Sequence, residues 1–509
     1  MSMSGSLLSR RRPRTVSGPS DHVVIVGAGL GGLSTALRLA GAGRSVTVLE
    51  REAVPGGRAG VLHDSGYSFD TGPSVLTMPD LIADALDCVG ERMSDWLTLR
   101  PVQPLYRTFY ADGSQLDVHV DADAMAQEVT QVIGPGEAAG YRSFVDYVSR
   151  LYRIEMRTFI DRNLDSPLDL VGTDMARLVA LGGLRRLAPV VARYLKDPRT
   201  QRVFSFQAMY AGLSPYDALA IYAVIAYMDS VAGVWFPDGG LHAVPRALAA
   251  AAAKHGVQFR YGTTVERVEL AGDRAVAVHT TDGERVPCDV VVLNPDLPVA
   301  RRDLLRRPLR RRLDYSPSCV TMNIGSRASY SKIAHHNIHF GTQWREVFTD
   351  LVDRKRLMRD PAFMVTASSR SDPSLAPRDR QSYWVLFPAP NLTGPIDWDR
   401  MRGPYREEMI ATLEANGYVG FGDAIEVEHL VTPADWERQG MAAGAPFAAA
   451  HSFTQTGPFR PGNLWGDNVV FTGSGTQPGV GVPMVLLSGR LAAERITGPD
   501  PAYRSRAWR

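Results

Sequence analysis

An α/β fold is predicted for this chain, and three observations predict it. Near the N-terminus a short apolar strand runs into a glycine-rich turn, a helix and a second strand. Near the C-terminus another strand is followed by a glycine loop and a helix in the same order. Between them lie long stretches of helical and strand-like patterning, which must build a second unit of mixed α+β structure.

The first observation rests on "DHVVIVGAGLGGLSTALRLAGAGRSVTVLEREAVPGGRAG". Val23 to Val26 has the apolar run of a buried parallel strand. Gly27, Gly29 and Gly32 form GxGxxG: the first permits a tight turn, the second lets backbone approach a pyrophosphate, and the third lets helix lie close on strand. The helix N-terminus then offers unpaired N–H groups to the anion. Leu33, Ala36, Leu37 and Leu39 fall on one helix face, Gly43 ends the helix, and "SVTVLE" is a second strand ending in Glu50. An acid at that place accepts hydrogen bonds from ribose hydroxyls and repels a 2′-phosphate, so NADP is disfavoured.

The second observation is "DNVVFTGSGTQPGVGVPMVLLSGRLAAERI", a strand, a glycine loop and a helix whose Leu487, Leu491 and Ala492 are expected to face inward. The strand is expected to join the N-terminal sheet, bringing the second loop to the same ligand.

These motifs carry a resemblance. The "GGRAG" of Gly56, Gly57 and Arg58 is similar to the extension found in the flavoprotein superfamily of amine oxidases, phytoene desaturases and Rab GDP-dissociation inhibitors, where it runs alongside FAD. "FDTGPS" resembles the segment that follows it in carotenoid desaturases. The C-terminal loop resembles the signature of bacterial-type phytoene desaturases, typically "GAGTHPGAGIPG". Gly473, Gly475, Thr476, Pro478, Gly479, Gly481 and Pro483 match it, whereas Ser474, Gln477 and Met484 depart, and Met484 replaces a glycine near the ring. Similarity runs from about His22 to Ile496 and includes "WFPDGGLHAVPRALAAAAAKHGVQFRYGTTVERVEL", in which Val265 falls where relatives contact adenine through the backbone.

The resemblance implies a Rossmann-like FAD-binding domain assembled from 21–100, 235–310 and 455–509, with a substrate and membrane-association domain from 101–234, mainly helical, and 311–454. The residues assigned to FAD are Gly27, Gly29, Gly32, Glu50, Arg51, Gly57, Arg58, Gly72, Pro73, Ser74, Val265, Gly473, Ser474, Gly481, Val482, Pro483 and Met484. The implied activity is stepwise desaturation of phytoene or a related polyene toward lycopene, by hydride transfer to flavin N5 and loss of a neighbouring proton. Oxygen or a quinone is the expected electron acceptor. No catalytic residue is assigned, because a polyene cation is itself very acidic and needs no strong base. A carotenoid or retinoid saturase or a related polyene oxidoreductase is the alternative within the class, and a non-redox prenyl-lipid binder of the GDP-dissociation-inhibitor type the alternative outside it.

Composition is compatible with this. The 509 residues are 45% hydrophobic and 22% charged, ordinary for a globular chain with a large core. Lys+Arg 56 against Asp+Glu 54 gives no global field for nucleic acid. Cys88, Cys288 and Cys319 form no CxxC, so neither a disulfide framework nor a zinc site is expected, and a reducing cytoplasmic setting is. The start, with Arg10, Arg11, Arg12 and Arg14, lacks the apolar run of a secretion signal and is expected to be a disordered tail over 1–20.

Two stretches are weighed as peripheral membrane contacts. In "VGTDMARLVALGGLRRLAPVVARYL", Leu178, Leu181, Leu184, Leu187, Val190 and Val191 alternate with Arg177, Arg185, Arg186 and Arg193, a basic amphipathic pattern equally suited to a helical pair lying on the core. "VARRDLLRRPLRRRLDY" adds an arginine run fit for solvent or anionic headgroups. His335, His336 and His339 have no metal spacing, and no metal is expected. Tyr227, Met228, Trp235 and Phe236 are candidates to line an apolar tunnel.

Overall fold

A computed structural model of the protein describes residues 13–499. At its centre is a six-stranded sheet whose strands come from both ends and the middle of the chain. β1 (His22–Val26), α1 (Leu30–Gly41) and β2 (Ser45–Leu49) are contiguous. β3 (Gln258–Arg260) and β4 (Val290–Leu293) come from mid-chain. β5 (Leu464–Trp465), β6 (Val469–Phe471) and α2 (Val482–Thr497) come from the end. The order is β5-β6-β4-β1-β2-β3, and every neighbouring pair is parallel except β5 with β6.

The last strand therefore enters the N-terminal sheet, but β4 stands between it and β1. The run "VVVL" of β4 is buried at every position, as an interior parallel strand covered on both faces must be. α1 is buried nearly all round, not on one face, because the sheet, α2 and the alanine-rich helix Ala243–Lys254 surround it. Its crossing with α2 is close. A Cβ on Gly489 would stand 2.6 Å from the carbonyl oxygen of Gly31, and the Ser34 hydroxyl donates to the carbonyl of Leu486 at 2.8 Å.

A seven-stranded, mostly antiparallel sheet forms the second unit. In order it runs Ile425–Val431, Ser318–Ser326, Gln381–Ala389, Phe363–Ala367, His336–Phe340, Tyr106–Tyr110 and Gln115–Val118. The last two strands come from the segment with mainly helical patterning. Tyr106–Tyr110 alternates buried and half-buried residues over a run too short to stand out, and its parallel pairing with His336–Phe340 is long-range. One face of this sheet, with Val320, Met322, Val365, Val385 and Phe387, packs on the helix Trp398–Ala415. The other face is turned to a layer of helices that includes Pro135–Glu155 and Val224–Ser230.

Residues 13–20 lie against the folded chain. The N–H groups of Val16 and Ser17 donate to the carbonyls of Arg495 (2.7 Å) and Asp467 (2.9 Å), and that of Arg14 to Asp165 (2.8 Å). Arg10, Arg11 and Arg12 of the expected tail are outside the described residues.

Candidate functional site: one cavity at the strand ends

A single cavity of about 1370 Å³ opens at the carboxyl ends of β1, β4 and β6. It exceeds the roughly 300–1,000 Å³ of a pocket for one small molecule. Of the residues assigned to the cofactor, all but Gly32 line it, from Gly27 and Gly29 through Glu50, Arg51, Gly57, Arg58, Gly72, Pro73, Ser74 and Val265 to Gly473, Ser474, Gly481, Val482, Pro483 and Met484. Gly32 sits behind the wall, where a Cβ would stand 2.3 Å from the carbonyl oxygen of Gly27, so its role is the close fit of helix on strand.

The local chemistry explains the placement. Gly27 turns with φ +97°, a conformation an L side chain rarely adopts. The Glu50 carboxylate is buried just past β2 and accepts N–H groups from Ala28 (2.6 Å) and Glu52 (2.9 Å), which clamps the first glycine turn to the second strand. The "GGR" segment folds back over that turn, with the Gly56 N–H donating to the Ala28 carbonyl at 2.9 Å. At Gly72 a Cβ would stand 1.8 Å from the Arg58 carbonyl oxygen, so the "FDTGPS" segment passes directly over "GGR". The N-terminal end of α2 points Gly481, Val482 and Pro483 into the same space, and its unpaired N–H groups give that end a positive potential.

Several residues here escaped the sequence reading. Asn294, the first residue after β4, sits between the two glycine loops. Its Nδ2 donates to the Thr472 carbonyl at 3.3 Å, and its Oδ1 lies 2.6 Å from where a Gly29 Cβ would be. Asp296 is buried two residues on and faces Arg58 at 3.7 Å. Arg460 is buried under the C-terminal loop and donates to the carbonyls of Ser474 (2.6 Å) and Thr476 (2.9 Å). Burial pushes its guanidinium down to about 10. A polar residue right after an apolar strand is the signal for Asn294, and an arginine in "PFRP" beside a glycine loop the signal for Arg460.

Away from the loops the wall is apolar. Ile338, Met364, Trp384 and Leu386 of the seven-stranded sheet form one side, and Ile221, Ile225 and Met228 the other. Glu155, Asp229 and His451 are among the ionisable groups that interrupt it. Burial holds the Glu155 carboxyl well above the usual carboxylate range and pushes Asp229 up to about 7. Burial, then the charge of Arg460, holds His451 well below the ordinary imidazole value. Of the four tunnel candidates only Met228 lines the cavity. Tyr227 stacks on Tyr152 with ring centroids 4.1 Å apart, and Phe236 lies against His335. The histidines of "HHNIH" stand apart from it and pair with neutral hydroxyls, His335 with Ser371, His336 with Thr366 and His339 with Tyr418.

At its outer end the cavity meets Leu184, Phe453 and Phe459, all exposed, with Phe453 and Phe459 ring centroids 5.9 Å apart. Leu168, Val171 and Val179 are exposed too, the 3-10 turn of Leu168 lying against that of Phe459. The amphipathic stretch forms two short helices, Thr173–Ala180 and Leu187–Tyr194, that turn Leu178, Leu187, Val190 and Val191 inward. Only Leu184 of its leucines is exposed, alongside Arg177, Arg185, Arg186 and Arg193.

A parallel sheet with two glycine turns at its carboxyl edge, an acid past the second strand and a helix N-terminus aimed at the same space define a dinucleotide-cofactor oxidoreductase of the flavin type. The chain belongs to the flavin containing amine oxidoreductase family, whose model matches residues 30–497, and within it to the phytoene desaturase group. It is 54% identical over 499 residues to a phytoene dehydrogenase of Streptomyces griseus, covering 97% of this chain and 98% of that one. It is 37% identical over 486 residues to a zeta-carotene-forming phytoene desaturase of Myxococcus xanthus, covering 93% of each. Among solved structures, putrescine oxidase shares the fold at TM-score 0.59 and 15% identity, covering 94% of this chain and 100% of that one. The protein is thus an FAD-dependent oxidoreductase.

Proposed function

We propose that this protein desaturates phytoene, or a closely related colourless polyene, stepwise toward lycopene. The observation that carries the reading is the continuity of one cavity from the polar glycine cradle, through an apolar barrel of side chains, to an exposed apolar mouth. Bound FAD supplies the two-electron acceptor. The chain's own residues hold and shield: Glu50 is placed to meet ribose hydroxyls, the N–H groups of the first turn and of α2 to meet phosphate and the electron-rich ring edge. The sheet face of Ile338, Met364 and Trp384 excludes water along an elongated guest. The segments 21–100, 235–310 and 455–499 supply the cofactor half, and 101–234 with 311–454 the substrate half.

The mouth supports a peripheral membrane partner. Among the described residues no helix is long and apolar enough to cross a bilayer. Exposed Phe453, Phe459, Leu184 and Val171, flanked by Arg177, Arg185 and Arg186, suit a shallow seat in an anionic interface, from which a lipid-dissolved substrate enters. Oxygen or a membrane quinone then takes the electrons.

The test is incubation of the flavin-loaded protein with phytoene-containing anionic liposomes and either oxygen or a quinone. New long-wavelength polyene absorption in the extracts is expected; unchanged phytoene under both acceptors counts against the reading. The same protein with lycopene and a reductant tests the saturase direction.

A further inference from the structure

Asp229 is the single charged residue in the run "ALAIYAVIAYMDSVAGVWF", and it is 2% exposed. It lines the cavity from the helix Val224–Ser230, among Phe206, Met228 and Phe340. Three neutral donors converge on its carboxylate. Ser230 Oγ donates to Oδ1 at 2.7 Å, and Gln207 Nε2 (3.3 Å) and Tyr106 Oη (3.4 Å) donate to Oδ2. The groups facing it come from its own helix, from the 3-10 turn Phe206–Ala211, which also brings Tyr210 near, and from the strand Tyr106–Tyr110. None of these carries a positive charge, and among the described residues no arginine or lysine stands within ion-pair distance of it.

Such an environment is unusual. A buried carboxylate is ordinarily neutralised by a basic partner, because its desolvation is otherwise uncompensated. Here donors favour the anion and the counter-charge is missing, in the wall of an apolar chamber. A reaction that generates a cation in that chamber would supply the missing charge transiently, and a negative group already in place stabilises it without reorganisation. Two other titratable groups in the wall, Glu155 and His451, are unsuited. Glu155 holds its proton, and its Oε1 has no hydrogen-bond partner. A protonated His451 would stand against buried Arg460.

We propose that Asp229 is the counter-ion and proton acceptor of the desaturation, a role that rests on the desaturase reading above. Bound FAD would accept one substrate hydrogen with both its bonding electrons, leaving a cation on the guest. The neighbouring C–H then gives its proton to the Asp229 carboxylate, its electron pair becomes the new C=C bond, and the carboxylate becomes a carboxylic acid. Tyr106, Gln207 and Ser230 are positioning residues that hold the carboxylate toward the guest.

The experiment is anaerobic single-turnover flavin reduction by phytoene in liposomes, from pH 5.5 to 9, with the holoenzyme and with Asp229→Asn and Asp229→Glu. In the wild type the rate should rise with pH through about 7 as the carboxylate ionises, then level off. Asp229→Asn should lower the rate roughly 100-fold or more and abolish the pH dependence, with flavin content and substrate KM little changed. Asp229→Glu should recover part of the rate and a pH limb. An Asn variant as fast as wild type with the same profile overturns the proposal. So does a wild-type rate that is flat over this range, which decides the matter even where the Asn variant fails to fold. A wild type that neither reduces its flavin with phytoene nor forms product at any pH overturns the desaturase reading itself.

Discussion

Arg58 and Ser474, 416 residues apart in the chain, are joined by a hydrogen bond from the guanidinium Nη1 to the hydroxyl. The same guanidinium faces the buried carboxylate of Asp296 at 3.7 Å. One side chain thus ties the "GGR" turn to the C-terminal glycine loop and to the end of β4. Removing it leaves Asp296 Oδ1, which has no hydrogen-bond partner, without its cation. Arg58→Ala is expected to weaken FAD retention about 10- to 100-fold and Ser474→Ala by less, since a charge-assisted contact is worth about 1.5–3 kcal/mol. The flavin-to-protein absorbance ratio after desalting measures both.

Glu50 closes the first glycine turn as well as facing the cavity. Glu50→Ala leaves the buried Ala28 N–H unpaired, at about 1–3 kcal/mol, and frees the Glu52 N–H at a half-buried place. Lower flavin occupancy together with a lower Tm of the apoprotein is expected. A full flavin complement in this variant removes Glu50 from the ribose role.

The crossing of α1 and α2 at Gly31 and Gly489 sets how closely the two glycine loops approach. A methyl at position 489 meets backbone at 2.6 Å and the Ser34 Cβ at 2.5 Å, so the helices must separate. Gly489→Ala is expected to destabilise by about 1–3 kcal/mol and to loosen FAD, although residue 489 is not in the cavity wall. Thermal unfolding with and without added FAD checks this.

The buried Asp229 also makes a prediction about stability. Its pKa is raised from 3.8 to about 7, so between those values the unfolded chain has released a proton that the native state retains. Stability from this group is full below about pH 4 and is lost as pH rises through about 7, by up to about 4 kcal/mol. Asp70, raised to about 6 by burial, acts in the same direction. Asp229→Asn is therefore expected to raise Tm at pH 8 and leave it nearly unchanged at pH 4. A variant less stable than wild type at pH 8 contradicts the sign.

At the mouth, Phe453→Ser with Phe459→Ser is expected to lower binding to anionic vesicles about tenfold and leave flavin content intact, because the two rings line the outer end of the cavity. Liposome flotation at low and high salt separates the apolar contribution from that of Arg177, Arg185 and Arg186.

The glycine spacing of Gly27, Gly29 and Gly32, Glu50 at the end of an apolar run, and the Gly473–Gly481 loop before a helix each state a local backbone demand, and local demands are written in the residues that meet them. For that reason the sheet, both loops and the wall they share were legible from the chain alone. The insertion of β4 between the two ends, which puts Asn294 and Asp296 among the loops, follows from strand pairing across hundreds of residues and leaves no local trace. The stretch around Leu178 to Val191 shows the same limit, since its periodicity marks an apolar face without saying whether protein or lipid covers it, and packing turned most of that face inward. Asp229 is one charge in an apolar run that the sequence reading passed over: the donors that surround it come from three separate segments, and only their convergence makes a buried carboxylate without a counter-charge an element of the chemistry.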